Sequence, residues 1–287
     1  MTMFLNVLIG GLIMGGIYAL ISMGLSTQYG VARILNVSHG EFIMVGAFIT
    51  WQLNTSFALN PIIALAVAGP IAFVICFVIH RTLFKRVKDI STNEAFEGNA
   101  ILIAFGLMFI VQNLATIRWG TQLKGISFMT YPVNIGEAVF PANRLMVLLL
   151  SVIICVAYYL FLTHTRLGKS IRAAAQDPVA ASMLGIKINR VMAICFGIGG
   201  LLAAFSGVLI CMILSLTTTM GMSYTVIAII VVVLGGLGSI PGAILGGFIL
   251  GFVGTAVNYQ DPSLTIVFFY VIILALLIVR PKGLLGR

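Results

Sequence analysis

Gly168-Lys169-Ser170 is the one short string in this chain that could announce phosphate chemistry. A P-loop reads G-x-x-x-x-G-K-[ST], so that backbone N–H groups cradle the phosphates while the Lys reaches them. Its first Gly would stand at 163, where Thr163 is found, and an apolar run precedes the motif where a strand is needed. No nucleotide site of that type follows. The three histidines stand far apart at 39, 80 and 164, there is no HExxH, and the seven acidic residues form no carboxylate pair inside an apolar run. Without nucleophile, base and oxyanion donors in one constellation, catalysis has nothing to work with, and no enzyme is expected. Cys76, Cys155, Cys195 and Cys211 all fall inside apolar runs with no CxxC, which reads as small buried hydrophobes with neither a metal site nor a disulfide.

What remains is chemistry of weak contact. The stretch Gln28–Glu41, QYGVARILNVSHGE, is polar between two segments of membrane length. Phe42 to Leu53 is too short to cross alone. Either a helix begins near Val31 and carries Asn36, Ser38, His39 and Glu41 into the membrane, or the span is broken at Gly40; the plainer alternative is a loop at the cytoplasmic surface. Polar groups at depth are costly unless they face a bundle interior or water, and irregular backbone there implies a cavity. Gln112 and Asn113 sit near the far end of another span, Tyr18 in the first, and GGLGSIPG at 235–242 interrupts a long apolar segment. Tyr18, Asn36, Ser38, His39, Glu41, Gln112, Asn113, Gly235, Gly236 and Gly238 are therefore the candidate lining of a pathway. Most are neutral. Only His39 and Glu41 could serve a proton relay, which argues against a pump or ion-coupled carrier.

A second constellation is structural. Thr165–Asn189 is the longest polar, basic interval. Asp177 before Pro178 reads as a helix N-cap and N1 pair, and VAASMLG ends at Gly185, a fitting C′ residue. A short capped helix with little core of its own, between the two most basic flanks, invites docking from outside the membrane. Arg172, Asp177, Pro178, Ala181 and Gly185 are the candidate coupling residues.

The elements that must position these groups follow from composition. With 61% hydrophobic and 8% charged residues in 287, the chain departs from soluble domains, which carry roughly 25% charged. Mean hydropathy is +1.17, and the apolar runs of about 20 residues do not alternate as barrel strands would. The expected fold is an all-α, polytopic transmembrane bundle of about 8–9 spans, one domain over 1–287, with a coupling loop at about 165–190 and broken or re-entrant helices near 31–42 and 223–242. The apolar runs are Phe4–Leu25, the 31–53 region, Asn60–His80, Ala100–Ile117, Arg144–Leu162, Val191–Leu216, Ser223–Val257 (two helices, or a half-helix pair) and Leu264–Val279. Gly11 and Gly15, GIGG at 197–200, Ser206-Gly207, and Gly238, Gly242, Gly246, Gly247 and Gly251 have spacings that permit close helix approach.

The net charge of +9 is a topology signal, with clusters at Arg81–Lys88, Arg166–Arg190 and Arg280–Arg287. Under the positive-inside rule these loops are cytoplasmic, the N-terminus lies outside and the C-terminus inside; only Arg118, Lys124 and Arg144 fall outside. No cleavable signal peptide is evident, since 4–26 is too long for an h-region and lacks a basic n-region.

Three stretches carry a family resemblance. GGIYALISMGLSTQYGVARILNVSHGEFIMVGAF (15–48), TRLGKSIRAAAQDPVAASMLGIKINRV (165–191) and VLGGLGSIPGAILGGFILG (233–251), with a terminal PKGLLGR, resemble permease subunits of bacterial high-affinity branched-chain amino acid ABC importers. The resemblance implies an inner-membrane permease beside a second homologous permease, two cytoplasmic ATPase subunits that bind ATP and Mg, and a periplasmic substrate-binding protein. This chain itself would hold no cofactor. The docking helix would be near Asp177–Gly185. Two departures stand out: His80 and Arg86 where an acidic residue and a Pro are expected, and Ile227 where a Lys is expected. If that Lys attracts an anionic group, its absence leaves open a second solute class, urea, short amides or other small polar molecules, with which similar permeases are associated. A self-sufficient channel for a neutral solute is the alternative from another class.

Overall fold

Long apolar runs become helices here because, in lipid, a backbone satisfies its own polar groups most simply by i→i−4 bonding. The computed structural model describes residues 2–90, 92–135 and 138–286; Arg287, counted with the third basic cluster, lies outside the described residues. In chain order the elements are α1 (Thr2–Ala32), α2 (His39–Phe57), α3 (Pro61–Ile79), a π-helical turn (His80–Phe84), α4 (Lys85–Ile90), α5 (Asn93–Trp119), β1 (Pro132–Ile135), β2 (Ala138–Pro141), α6 (Ala142–His164), α7 (Arg166–Gln176), α8 (Pro178–Met183), α9 (Ile188–Cys211), α10 (Met220–Gly235), α11 (Ile240–Gln260) and α12 (Thr265–Val279). Among the described residues, seven helices are long and apolar enough to cross a membrane, the second of them being the continuous rod Pro61–Ile90. With α2 and the shorter α10, they make the nine hydrophobic elements expected from sequence.

The differences in detail have local causes. The basic stretch 81–88, read as a loop, is helical: the rod continues through its π turn, where buried His80 stacks on Phe84 and Phe196. The break after α1 falls at residues 33–38, so neither a helix start near Val31 nor a break at Gly40 is observed. Thr165–Gln176, read only as polar, forms α7, capped by Thr165, whose hydroxyl accepts from Gly168 N at 3.0 Å. The loop expected over 118–143 carries an antiparallel hairpin in which Val133 pairs with Phe140. The 223–257 segment resolves into α10, starting earlier at Met220 and only 16 residues long, and a full-length α11. Of the other spans, α1 runs well past the expected Leu25, α5 starts well before Ala100 and α9 stops short of Leu216, while α3, α6 and α12 lie close to their expected bounds. Asn60 caps α3 by accepting from Ile62 N, with Pro61 at the first helical position.

Small residues set the packing. α1 and α11 run antiparallel in contact, Gly247 against Ala19 and Gly251 against Gly11 and Gly15, as the spacing of small residues anticipates. α9 is the most buried span and α12 the least. The GIGG turn of α9 places Gly197 on Phe73, Gly199 on Gln28 and Gly200 on Ala72 and Cys76, so one helix bears on both α1 and α3.

Candidate translocation pathway and coupling surface

Residues 33–38 do not leave the bundle. After α1 ends at Ala32 the chain turns at Arg33, in left-handed backbone at φ 55°, and climbs back along α1. Asn36 Nδ2 donates to Gln28 Oε1 at 3.2 Å, and Gln28 Nε2 to the carbonyl of Phe196 on α9 at 3.2 Å. The other end of the Asn36 amide accepts from Ser38 N and Oγ at 3.2 and 2.7 Å. His39 Nε2 is hydrogen-bonded to the Ile21 carbonyl oxygen at 3.1 Å. Ile21 stands eleven residues before the end of α1, about 16 Å along its axis at 1.5 Å per residue. Six extended residues span up to about 20 Å, enough for the climb. That climb is roughly half of a hydrocarbon core of about 30 Å and sets the start of α2 well inside the bundle.

α10 begins at the same place. Gly40 N donates to Thr225 Oγ1 at 2.9 Å, and that hydroxyl donates to the Val37 carbonyl at 3.0 Å. The two first turns meet through glycine: a Cβ on Gly40 would run into the carbonyl oxygen of Gly221, and one on Gly221 into the Glu41 carboxylate. Two helix N-termini, each a positive dipole end, thus converge inside the bundle, and the first three N–H groups of α2 are already held by the Asn36 carbonyl, Thr225 Oγ1 and the Ser38 carbonyl. Asn36, Ser38, His39, Glu41, Gln28 and Thr225 are all buried here. Both Glu41 carboxylate oxygens and His39 Nδ1 have no hydrogen-bond partner among the described residues. Buried polar groups cost several kcal/mol when unpaired, so this is where the bundle holds unused polar capacity.

The other candidate residues lie elsewhere. Tyr18 is buried on α1, edge-to-face with Phe269 of α12 at 6.2 Å between ring centroids. On α5, Asn113 is exposed and donates to its own helix at the Phe109 carbonyl, and half-buried Gln112 accepts from Thr116 Oγ1 through its backbone; neither joins the cluster. Gly235, Gly236 and Gly238 form the α10–α11 turn at the basic end, with φ of 103° at Gly236 and 80° at Gly238. The C-terminal tail pins that turn, Leu284 N and Leu285 N donating to the carbonyls of Leu234 and Gly235 at 2.9 and 3.0 Å. Gln28 opens the polar stretch read from sequence but is not among its candidate lining residues, and Thr225, Gly221 and the buried Thr27–Tyr158 hydroxyl pair, 2.5 Å apart, are not singled out there at all.

At the basic end, α8 has the architecture its caps imply. Asp177 Oδ1 accepts from Val179 N and Ala180 N at 2.8 and 3.0 Å. Gly185 stands at φ 85°, and Ile186 N closes onto the Ala181 carbonyl at 3.1 Å, satisfying the helix end. Ala181 faces inward, while Val179, Met183 and Leu184 are 63%, 82% and 82% exposed. A six-residue helix in a polar loop thus carries an exposed apolar face, the kind of patch that marks a candidate docking surface. Arg172 lies on α7, not on that face; its Nη2 donates to the Thr163 carbonyl at 3.3 Å.

The sequence profile of the family described as "Branched-chain amino acid transport system / permease component" matches residues 7–279. The high-affinity branched-chain amino acid transport system permease protein BraD of Pseudomonas aeruginosa is 29% identical over 99% of this chain and 96% of its own length. LivH of Salmonella typhimurium, described in the same words, is also 29% identical over the same shares. The probable branched-chain amino acid transport permease protein LivH of Methanocaldococcus jannaschii is 24% identical over 98% of this chain and 92% of its own.

Proposed function

We propose that this chain, which belongs to the family of branched-chain amino acid transport system permease components, passes branched-chain or other hydrophobic amino acids between the first turns of α2 and α10 under the drive of separate ATPase subunits. It is a multi-pass membrane permease subunit of an ABC importer, without a nucleotide site of its own. The observation that carries the pathway is the convergence, inside the bundle, of two helix N-termini around Asn36, Ser38, His39, Glu41 and Thr225. The positive dipole ends of two half-helices suit a carboxylate, and an unpaired Glu41 suits the ammonium of the same zwitterion. Both walls end in glycine, so a modest separation opens the path.

The partners follow the same reading. α8 docks on a cytoplasmic ATPase that binds ATP and Mg, a second homologous permease completes the channel, and a periplasmic binding protein delivers the solute. The basic end faces the cytoplasm because positive loops stay inside, which puts the N-terminus in the periplasm and the C-terminus in the cytoplasm. Reconstitution of the whole complex in liposomes tests this. Labelled leucine should accumulate only with ATP and binding protein, and flux through the purified chain alone would overturn the reading in favour of a channel.

One observation favours a second solute class. Ile227, where a Lys is expected, leaves the α10 wall without a cation, which suits urea or a short amide. Competition between labelled leucine and urea for uptake separates the two.

A further inference from the structure

We propose that a cavity at the basic end holds the phosphate headgroup of an anionic phospholipid, whose acyl chains lie in the groove between α6 and α11. The cavity, of about 890 Å³, opens between the end of α1, the end of α6, α7 and the α10–α11 turn. Arg33 and Arg172, from separate elements, line it together with Thr163, and no acidic side chain does. Arg33 is exposed and held in left-handed backbone, a conformation that non-glycine residues adopt at a cost and that clusters at binding sites. Arg172 commits one N–H to the Thr163 carbonyl and keeps the rest of its five donors.

The walls above this cationic floor are apolar. Tyr159 lines the cavity, and Val156 and Val152, on the same stripe of α6, are 51% and 42% exposed. Pro241 lines it from α11, and Leu245 and Ile249 continue that stripe at one-turn intervals, also exposed. A charged foot beneath two exposed apolar helix stripes has the shape of an amphiphile, whereas a free anion would need only the foot. Tyr159 sits five residues before the end of α6, the depth at which aromatic side chains mark the interface. Basic pockets between membrane helices on the cytoplasmic side take anionic headgroups on the same physical grounds. One wall is α7, which leads directly into α8, and the others belong to α1 and α11. A headgroup on both arginines therefore ties the coupling segment to the rigid bundle. The choice of leaflet rests on the orientation proposed above.

The test uses the chain with its partner subunits in phosphatidylcholine nanodiscs, titrated with fluorescent phosphatidylglycerol. Phosphatidylglycerol should bind in preference to phosphatidylcholine. Arg33→Asn with Arg172→Gln should weaken it about thirtyfold, from roughly 1 kcal/mol per basic residue near the surface, and Asn suits the left-handed position. Lysine at both positions should restore most of the affinity and so exclude misfolding, while Lys85→Gln with Arg86→Gln should leave it unchanged. Unchanged affinity in the first double variant overturns the proposal. So does displacement by millimolar inorganic phosphate, which would mark a free-anion site. A Tyr159→Cys crosslink to the partner permease in the intact complex would make the groove a subunit interface and overturn it too. No transported solute enters the measurement, so it can fail while the transport reading stands, and the reverse.

Discussion

Truncating the outer face of α8 separates coupling from folding. Met183 and Leu184 are each 82% exposed in the free chain, so Met183→Ala with Leu184→Ala removes almost no contact from the fold. Such surface changes stay within about 0.5 kcal/mol of wild-type stability. Full burial of a Leu or Met side chain is worth about 1.5–3 kcal/mol, of which the methyl retained by Ala keeps a part. If docking buries both, the double variant loses on the order of 2–4 kcal/mol of association. At 1.4 kcal/mol per decade, that is a loosening of roughly 30- to 700-fold. The assay is titration of the purified ATPase subunit onto the permease in nanodiscs, read beside ATP hydrolysis stimulated by the binding protein. The melting midpoint of the permease should hold while affinity and stimulation fall together. Wild-type affinity in the double variant, and in a triple variant that adds Val179→Ala, would refute the reasoning, because no large exposed apolar side chain of α8 would then remain to supply the contact.

The remaining predictions address the cap, the gate and the buried polar pairs. Asp177→Ala leaves two N–H groups of α8 unsatisfied and should cost about 0.5–2 kcal/mol, lowering stimulated ATP hydrolysis, whereas Asp177→Asn should retain most of it. Gly40→Ala drives a methyl into the Gly221 carbonyl; overpacking of about 1–3 kcal/mol should lower the melting midpoint, and leucine uptake by the reconstituted complex should fall with it. Thr27→Val should cost about 1–3 kcal/mol in a chemical denaturation series, since it leaves the buried Tyr158 hydroxyl alone, whereas Tyr158→Phe should cost less, because Thr27 Oγ1 keeps its 2.7 Å bond to the Met23 carbonyl. The double variant should cost less than the two singles together, and additivity there would mean that the hydroxyls do not interact.

How much of this was legible in the sequence depended on whether the signal was local. The α8 caps were readable because Asp177-Pro178 and Gly185 act on their own neighbours within a turn. The N-cap Thr165, with Leu167, Ile171 and Ala174 at helical spacing behind it, carried the same kind of signal for α7, but the density of charge around it masked the periodicity. The polar run to Glu41 advertised an irregular segment without saying where it sat; only the Ile21 carbonyl and Thr225, which is 185 residues from its partner Gly40, fix its depth. Gln112 and Asn113 looked equivalent to Asn36 because hydropathy cannot tell the inner face of a span from the outer, and α5 is apolar nearly all round. Thr225 escaped notice for the converse reason: one polar residue in an apolar run becomes meaningful only when a partner appears opposite it, here Gly40 N and the Val37 carbonyl. Gly247 and Gly251 were noticed as spacing, but nothing along the chain named α1 as the helix they would meet.

The proposed docking helix α8 and the proposed pathway are joined by one element, α9. α9 starts at Ile188, three residues after the α8 cap glycine, and runs 24 residues through the middle of the bundle. Its Phe196 carbonyl accepts from Gln28, the residue that anchors the climbing 33–38 segment, and its Gly199 lies on the same side chain. Further along, Gly207 presses on the Ile43 carbonyl and Ala47, and Ala204 on Gly46, so α9 also lines the back of α2. A glycine-to-backbone contact has no side chain to absorb a displacement. Interiors packed to crystal-like density pass such a shift on as a rigid movement. A push on α8 thus reaches the anchor of the 33–38 segment and the shaft of α2 together, while α10 meets α2 at its first turn through Gly40, Gly221 and Thr225. Movement of α9 relative to α10 would therefore act across that Gly40–Gly221 seam, the line along which the two helix N-termini would part in the proposed pathway.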